Sequence, residues 1–323
     1  MEKAKSSGFV RGVFSGDCVE LGPSLAPSLA ARQRFYLAYL QAPHMGSNQR
    51  EEEPFAFEAR EFLRKRLITQ KVSYKFEYEH NNRPFVTLYH NAENINQLLL
   101  AQGLTRLMSK RKEFAASAYN DPYTLAAADA ENKGLGVYAS GEARLAGQRK
   151  VTYSLDESFD AAGFVKAAIK AGKPAGAIIE HVFPNGSAYQ LYVPFFKVQV
   201  KVNLAYIFPP LAKKNEEAIA LKACAFSYAR LLHRTVGLKV EGLDRNGSVV
   251  GRLLHPAGDI AEELLKQGFA KVVAPQKSED KEDLTPKFDQ DYFAKLKQVE
   301  VIAKSKKLGL WAKKAEDAAA PSG

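Results

Sequence analysis

Cysteine is nearly absent: the 323-residue chain has two, Cys18 and Cys224. They lie far apart and outside any C-x-x-C spacing, which excludes a disulfide framework and a zinc site. Two buried, reduced thiols are expected. The chain also lacks any run of about 18 apolar residues, so no membrane span and no membrane partner is expected. Its start, MEKAKSSGFV, has no apolar centre of a secretory signal. These absences suit a reducing compartment, cytoplasmic and also nuclear. An acidic excess is missing too. With 46 Lys and Arg against 36 Asp and Glu, the net charge is +10, which points to an anionic partner such as nucleic acid.

What is present suggests two globular cores. At 46% hydrophobic and 25% charged residues, a chain of this length has room for two domains of roughly 100 to 200 residues. A repeat supports that division. LYHNAENINQLLLAQGL from Leu88 and LLHPAGDIAEELLKQGF from Leu253 align without a gap, carrying His90 onto His255, Ile95 onto Ile260 and Gly103 onto Gly268. An apolar run, a polar turn, then Ile and Leu at helical spacing before glycine predict a strand, a turn and a short helix.

The same order of elements recurs around each repeat. In the first module, GFVRGVFSGDCVEL predicts a hairpin about a Ser-Gly-Asp turn, RQRFYLAYL a buried strand, and HMGSNQREEE an exposed loop. PFAFEAREFLRKRLI sets Phe55, Ala59, Phe62, Leu63 and Leu67 on one helical face, with Arg60, Arg64 and Lys65 expected on a basic outer side. KVSYKFEYE alternates as a half-buried strand should, and HNNRP turns it into VTLYH. AIIEHVFPNGSAYQLYV, FFKVQVKVNLAYI and EEAIALKACAFSYARLL replay that order, and LGVY at 135–138 corresponds to LGLW at 308–311.

The expected domains are 1–140 and 175–313, joined by a connector at 141–174 with some helix around FVKAAIKA. SEDKEDLTP reads as a solvated insert, and 314–323 as a disordered tail or a linker to further domains. The element order predicts an α+β fold, a small Greek-key β-barrel with packed helices.

SGFVRGVFSGD, PFAFEAREFLRKRLI, AIIEHVFPNGS and GRLLHPAGDIAEELLKQGFAKVV resemble the first two staphylococcal-nuclease-like domains of the Tudor-SN family, over nearly the whole chain. The resemblance implies tandem OB-fold staphylococcal-nuclease-like domains, normally followed by two more and by a Tudor domain embedded in a fifth. This sequence is therefore expected to be part of a longer chain. The resemblance also implies binding of RNA, single- or double-stranded and sequence-tolerant. Protein partners in silencing, splicing or transcription complexes, a place in stress granules, and nuclease activity on certain RNAs are implied as well.

A calcium nuclease of this fold needs carboxylates for the cation, a glutamate to activate water, and two arginines for the phosphate. By the resemblance, Asp17 stands at the first metal aspartate and Arg83 at the arginine before the repeat strand. Gln41 replaces the second metal carboxylate, His44 the glutamate and Tyr36 the other arginine. Arg34, two residues before Tyr36 on the same strand face, is the candidate replacement cation. In the second module Ser187, Val202, Ile207, Pro210 and Ser248 hold the corresponding places, with Arg245 or Arg252 expected to approach the pocket. The expectation is a degenerate site: Asp17, Arg34 and Arg83 as a catalytic remnant, Asp17 as a remnant metal ligand, and no cofactor. Calcium is expected only if the chain is a nuclease.

OB-folds carry single strands on aromatic platforms and basic grooves. Candidate phosphate contacts are Arg60, Arg64, Lys65, Arg106, Lys110, Arg111 and Lys112 in the first module. Lys197, Lys201, Lys239 and Arg245 are the candidates in the second, and Tyr74, Phe76 and Tyr78 the candidate platforms. The expected function is RNA binding and scaffolding; the alternatives are a metal-dependent endoribonuclease and a protein-interaction adaptor or coactivator.

Overall fold

The computed structural model describes residues 6–26, 28, 31–154, 156, 159–210, 216–274 and 284–312. The tail expected from 314, and all of SEDKEDLTP before Leu284, lie outside them. The chain divides into two compact units, 1–151 and 152–323.

In the first unit, strands β1 (Ser6–Ser15), β2 (Cys18–Gly22) and β3 (Gln33–Leu37) form a meander, and β4 (Leu40–Gln41) leads to helix α1 (Ala56–Leu67). The hairpin of β5 (Lys71–His80) and β6 (Arg83–His90) turns through Asn81 and Asn82, both at positive φ. A two-residue type I′ turn requires that conformation, which asparagine tolerates. The sheet runs β3-β2-β1-β5-β6, and parallel pairing of β3 with β6 at Tyr36–Phe85 and Leu37–Val86 closes it into a barrel. Bulges between Val10 and Gly12 and between Phe76 and Tyr78 add the bend that closure needs.

Beyond the barrel come β7 (Glu93–Asn94), α2 (Ile95–Ala101), β8 (Arg106–Leu107), α3 (Lys112–Ala115) and α4 (Asn120–Asn132). A 3-10 turn at Gly136–Tyr138 and α5 (Gly141–Ala146) follow. Val10, Val13, Val19, Leu37, Leu63, Val86 and Leu88 fill the core. The buried Asn96 of α2 stitches the closing strands together. Its Nδ2 donates to the Ala38 and Val86 carbonyls at 3.1 and 3.2 Å, and its Oδ1 accepts the Leu88 N–H at 3.0 Å.

The second unit repeats the plan. It runs β9 (Thr152–Tyr153), α6 (Ala161–Lys170), β10 (Ala175–Val182), β11 (Ala188–Val193), β12 (Val198–Leu204), β13 (Ile207–Phe208) and α7 (Glu217–Leu231). β14 (Thr235–Leu243), β15 (Val249–His255), β16 (Gly258–Asp259), α8 (Ile260–Lys266), β17 (Lys271–Val272) and α9 (Gln290–Ser305) complete it. The sheet order β12-β11-β10-β14-β15 is closed by parallel pairing of β12 with β15 at Val202–Val249. Of the residues read as a connector, Gly141–Ala146 forms α5 of the first unit, while β9 pairs with β12 and α6 buries Phe164 and Val165 in the second core.

Both copies of the repeat form the strand, turn and capped helix that their pattern predicts. Asn94 caps α2 by accepting the Gln97 N–H, and Asp259 caps α8 by accepting those of Ala261 and Glu262. Gly103 and Gly268 end the two helices at φ 64° and 69°, the left-handed conformation that favours glycine. Each also receives a second backbone. The Gly103 carbonyl accepts the Val137 N–H and the Gly268 carbonyl the Leu310 N–H, both at 2.8 Å. LGVY and LGLW thereby dock on equivalent helix ends.

Helix α1 departs from its expected orientation. It buries Ala56, Ala59, Leu63 and Leu67, and Arg60 and Arg64 with them, at 3% and 6% exposure. Arg64 forks onto the buried Glu61, Nε to Oε1 at 2.6 Å and an Nη to Oε2 at 2.8 Å. A bidentate pair spaced i, i+3 lets guanidinium and carboxylate share one buried face. Lys65 alone of the three points to solvent.

Candidate functional site

The β1–β2 turn brings Asp17 beside the loop that follows β4. Both its oxygens are engaged there: Oδ1 accepts the Ser15 hydroxyl at 2.6 Å, and Oδ2 accepts the Ala42 N–H at 2.9 Å. Gln41 and His44, at the other metal and base positions, are exposed, and Glu53 accepts the His44 N–H at 2.8 Å. Among the described residues no three His, Cys, Asp or Glu side chains gather where a metal could sit. A calcium site needs several oxygen ligands and carboxylate charge, so these residues do not fit the ion.

Arg34 and Arg83 do converge with Asp17, around Cys18 and Tyr36. Burial pushes the Cys18 thiol up to about 12, Asp17 adds to the rise, and Arg34, Tyr36 and Arg83 oppose it. The Tyr36 hydroxyl is raised by burial and by Cys18, against Arg83. A thiol so shifted is protonated at neutral pH and is no nucleophile. Arg34 lies over the Phe14 ring at 4.0 Å and Arg83 over Tyr36 at 5.2 Å. With no cluster of three ligating side chains among the described residues, this group can attract a phosphate but is not built to seat a cation or activate water.

In the second unit the corresponding place is an apolar cavity of about 460 Å³. Leu204, Tyr206, Ile207 and Val250 line it, and Ser187, Asn203 and Arg245 add polar groups. Asp244 is its carboxylate, consumed by the Asn203 amide at 3.1 Å and by the Asn246 and Ser248 N–H groups of its own turn. Val202 is fully buried in the core. Arg252 does not reach this cavity. It is 8% exposed, bound to Glu241 and Asp289 at 2.8 Å each, and lies 3.6 Å from the Tyr292 ring centre. Two carboxylates and a ring hold its side chain among Glu241, Asp289 and Tyr292.

The other basic candidates fall into three kinds. Lys65, Lys110, Lys112, Lys197 and Arg245 are exposed, and so is Lys239, which pairs with Glu241 at 3.4 Å. Arg111 and Lys201 are half-buried on aromatic faces: Arg111 lies 5.2 Å from Tyr78 and 5.6 Å from Phe85, Lys201 4.9 Å from Phe183. Arg60 and Arg64 belong to the interior. Of the aromatic candidates, Phe76 is exposed, Tyr74 packs on Phe35 at 4.8 Å, and Tyr78 is buried and stacked on Phe85 at 4.7 Å.

Phe195 was not foreseen. It is 79% exposed on a 3-10 turn at Pro194–Phe196, next to Lys197 at φ 54°. The Pro-Phe-Phe-Lys string carries the signal, a turn-forming proline ahead of two rings that cannot both face inward. Glu52 and Arg149 were also missed. They form a bidentate pair over the Phe57 ring, with Arg149 Nε 2.8 Å from Glu52 Oε1. Nothing local joins residues so far apart in the chain.

The model of the staphylococcal nuclease homologue family matches residues 34–140 and 201–313, spans that include both closing strands and both repeats. The chain is 28% identical to the fruit-fly (Drosophila melanogaster) Staphylococcal nuclease domain-containing protein 1, across 94% of this chain and 33% of that one. It is 26% identical to Ribonuclease TUDOR 2 of Arabidopsis thaliana, across 94% and 36%. With Staphylococcal nuclease domain-containing protein 1 of Schizosaccharomyces pombe it shares 26% identity, across 94% and 35%. The chain spans about a third of the length of these relatives. Each matched span holds a pair of barrel-closing strands, the capped helix and the docked 3-10 turn. The chain belongs to the staphylococcal nuclease homologue family, as a tandem-domain region of the Tudor-SN kind.

Proposed function

We propose that this chain is an RNA-binding and scaffolding region whose two nuclease pockets no longer perform metal-dependent cleavage. Asp17 carries the reading, because its oxygens hold the Ser15 hydroxyl and the Ala42 N–H, and among the described residues no three His, Cys, Asp or Glu side chains gather to hold a metal. The carboxylate lining the second pocket, Asp244, is already held by Asn203, Asn246 and Ser248, and Arg245 lines the pocket with it. The binding half is supported by the net charge of +10 and by exposed Lys65, Lys110, Lys112, Lys197 and Arg245. Arg111 on its stacked rings and Phe195 beside Lys197 add aromatic surface of the kind on which bases stack. Protein partners in silencing, splicing or transcription complexes, and a cytoplasmic and nuclear setting, extend the same proposal.

Ribonuclease stands in the names of two relatives, and an endoribonuclease is therefore the second reading. Filter binding of RNA across a salt series, beside an RNA cleavage assay with calcium and with chelator, separates the two. The proposal expects micromolar or tighter binding that falls steeply with salt, and no chelator-sensitive cleavage. Cleavage abolished by chelator and by Asp17→Ala overturns it.

A further inference from the structure

Next to the degenerate pocket of the first unit, with which it shares Gln41 and Ala42, lies a cavity of about 300 Å³ beside the strand pair β4 and β8. Gln41, Pro43, Glu53, Pro54, Arg106 and Arg144 line it. Two cations therefore face one carboxylate. Glu53 is already engaged, accepting the His44 N–H at 2.8 Å and lying 3.4 Å from Arg50. Among the described residues no carboxylate pairs with Arg106 or Arg144, which leaves the net charge of the lining uncompensated. Arg106 is nonetheless held in place. One of its N–H groups donates to the Val137 carbonyl at 2.6 Å, and its guanidinium lies 5.0 Å from the Tyr138 ring centre. Its remaining donors are presented without a large ordering cost.

The second unit lacks this arrangement. In the equivalent strand pair Phe208 stands opposite Lys271, as Gln41 stands opposite Arg106. Lys271 is tied to Glu216 at 3.1 Å. An uncompensated pair of guanidiniums at that strand pair thus belongs to the first unit, and general barrel architecture does not account for it.

We infer that this cavity takes the terminal phosphate monoester of an RNA strand, an inference that rests on the RNA-binding reading above. Guanidinium forks match the tetrahedral oxyanion of a phosphate, and a dianionic monoester offers more acceptor oxygens to two of them than a diester does. Pro43 and Pro54 have no backbone N–H, so recognition falls to the side chains. Gln41 adds a neutral donor. At the small end of ligand-site volumes, the cavity has room for a chain end, whereas an internal phosphodiester would have to bring both neighbouring nucleotides with it.

Fluorescence anisotropy at fixed low salt tests this with one oligoribonucleotide sequence, phosphorylated at the 5′ end, at the 3′ end, or at neither. The wild-type chain, Arg144→Gln and, as control, Lys271→Gln are compared, with a nucleoside 5′-monophosphate titrated alone. One phosphorylated strand is expected to bind about tenfold more tightly than the unphosphorylated one, in the range that charge-assisted hydrogen bonds supply. Arg144→Gln abolishes that preference without lowering the affinity for the unphosphorylated strand, and Lys271→Gln preserves it. Equal affinity for all three strands, or a preference that survives Arg144→Gln, overturns the inference and leaves RNA binding standing. Binding of the monophosphate but of no strand overturns the RNA-binding reading, and with it the RNA end as occupant.

Discussion

The Asp17 carboxylate and the Ala42 backbone are joined by a hydrogen bond of 2.9 Å, so the residue at a nuclease's first metal position serves as a clamp between two loops. Asp17→Ala should lower unfolding stability in urea by about 1.5 to 3 kcal/mol, the range for a hydrogen bond to a charged group. Calcium at millimolar concentration should leave the melting temperature of either protein unchanged, since a ligand stabilises only the state that binds it. A calcium-dependent rise in the wild type that Asp17→Ala removes would contradict the clamp as the whole role of this residue.

Basic residues of the first unit should separate into structural and binding groups. Removing one partner of a buried ion pair strands the other, so Arg64→Ala is expected to cost about 3 kcal/mol of stability through Glu61. Lys110→Ala combined with Lys112→Ala should leave stability within about 0.5 kcal/mol. That double variant should instead weaken RNA binding and flatten its salt dependence by about one per lost phosphate contact. Chemical denaturation and salt-series binding on the same preparations check both halves.

Gly136 sits so close to Gly103 that an added Cβ would meet the Gly103 carbonyl oxygen at 2.1 Å, and its φ is 50°. Gly309 repeats this against Gly268, at 2.3 Å and 52°. Alanine at either place should destabilise its own unit by about 2 kcal/mol or more, through contact and backbone strain together. Hydrogen exchange should show lost protection confined to the helices of the substituted unit.

Glu300 supplies a pH test. Burial alone raises its carboxyl, but the Val272 N–H at 2.8 Å, with Lys304 and Lys297, outweighs burial and holds it below its ordinary value. A carboxyl lowered by folding contributes stability that is complete above that ordinary value, 4.5, and is lost as pH falls through the lower, folded value. Glu300→Gln should therefore be less stable than wild type by about 1 to 2 kcal/mol at pH 7, and the gap should narrow below pH 4.5. Denaturation midpoints at pH 7, 5 and 3.5 read this directly. A gap that widens in acid would mean that the charge is not what Glu300 contributes.

The barrels and the repeat were legible because their signals are local. Alternation in β5, the paired asparagines before Arg83 and the glycines after α2 and α8 each dictate backbone geometry within a few residues. The interior of α1 was illegible for the opposite reason. Helical periodicity assigns charge to the outer face, and only Glu61 three residues before Arg64 hints that two charges travel inward together. Asn96 is similar: its polarity follows from the barrel closing over it, and the second copy has Ala261 there. The sequence also named Asp17, Arg34 and Arg83 as one pocket through family resemblance, and the structure groups them around Cys18. Arg106 and Arg144 come from segments with no shared pattern, and only the tertiary fold brings them to one cavity.

The parallel pairings of β3 with β6 and of β12 with β15 join strands roughly fifty residues apart, a loop whose closure carries an entropic penalty. During synthesis, neither barrel can shut until its last strand has cleared the ribosome. Until then β3, with Phe35 and Leu37, waits beside an open sheet edge, which is the form most exposed to pairing with another nascent copy. A stop codon placed between Leu67 and Val86 would thus release a sticky half-barrel, whereas one placed after Trp311 would release two sealed ones.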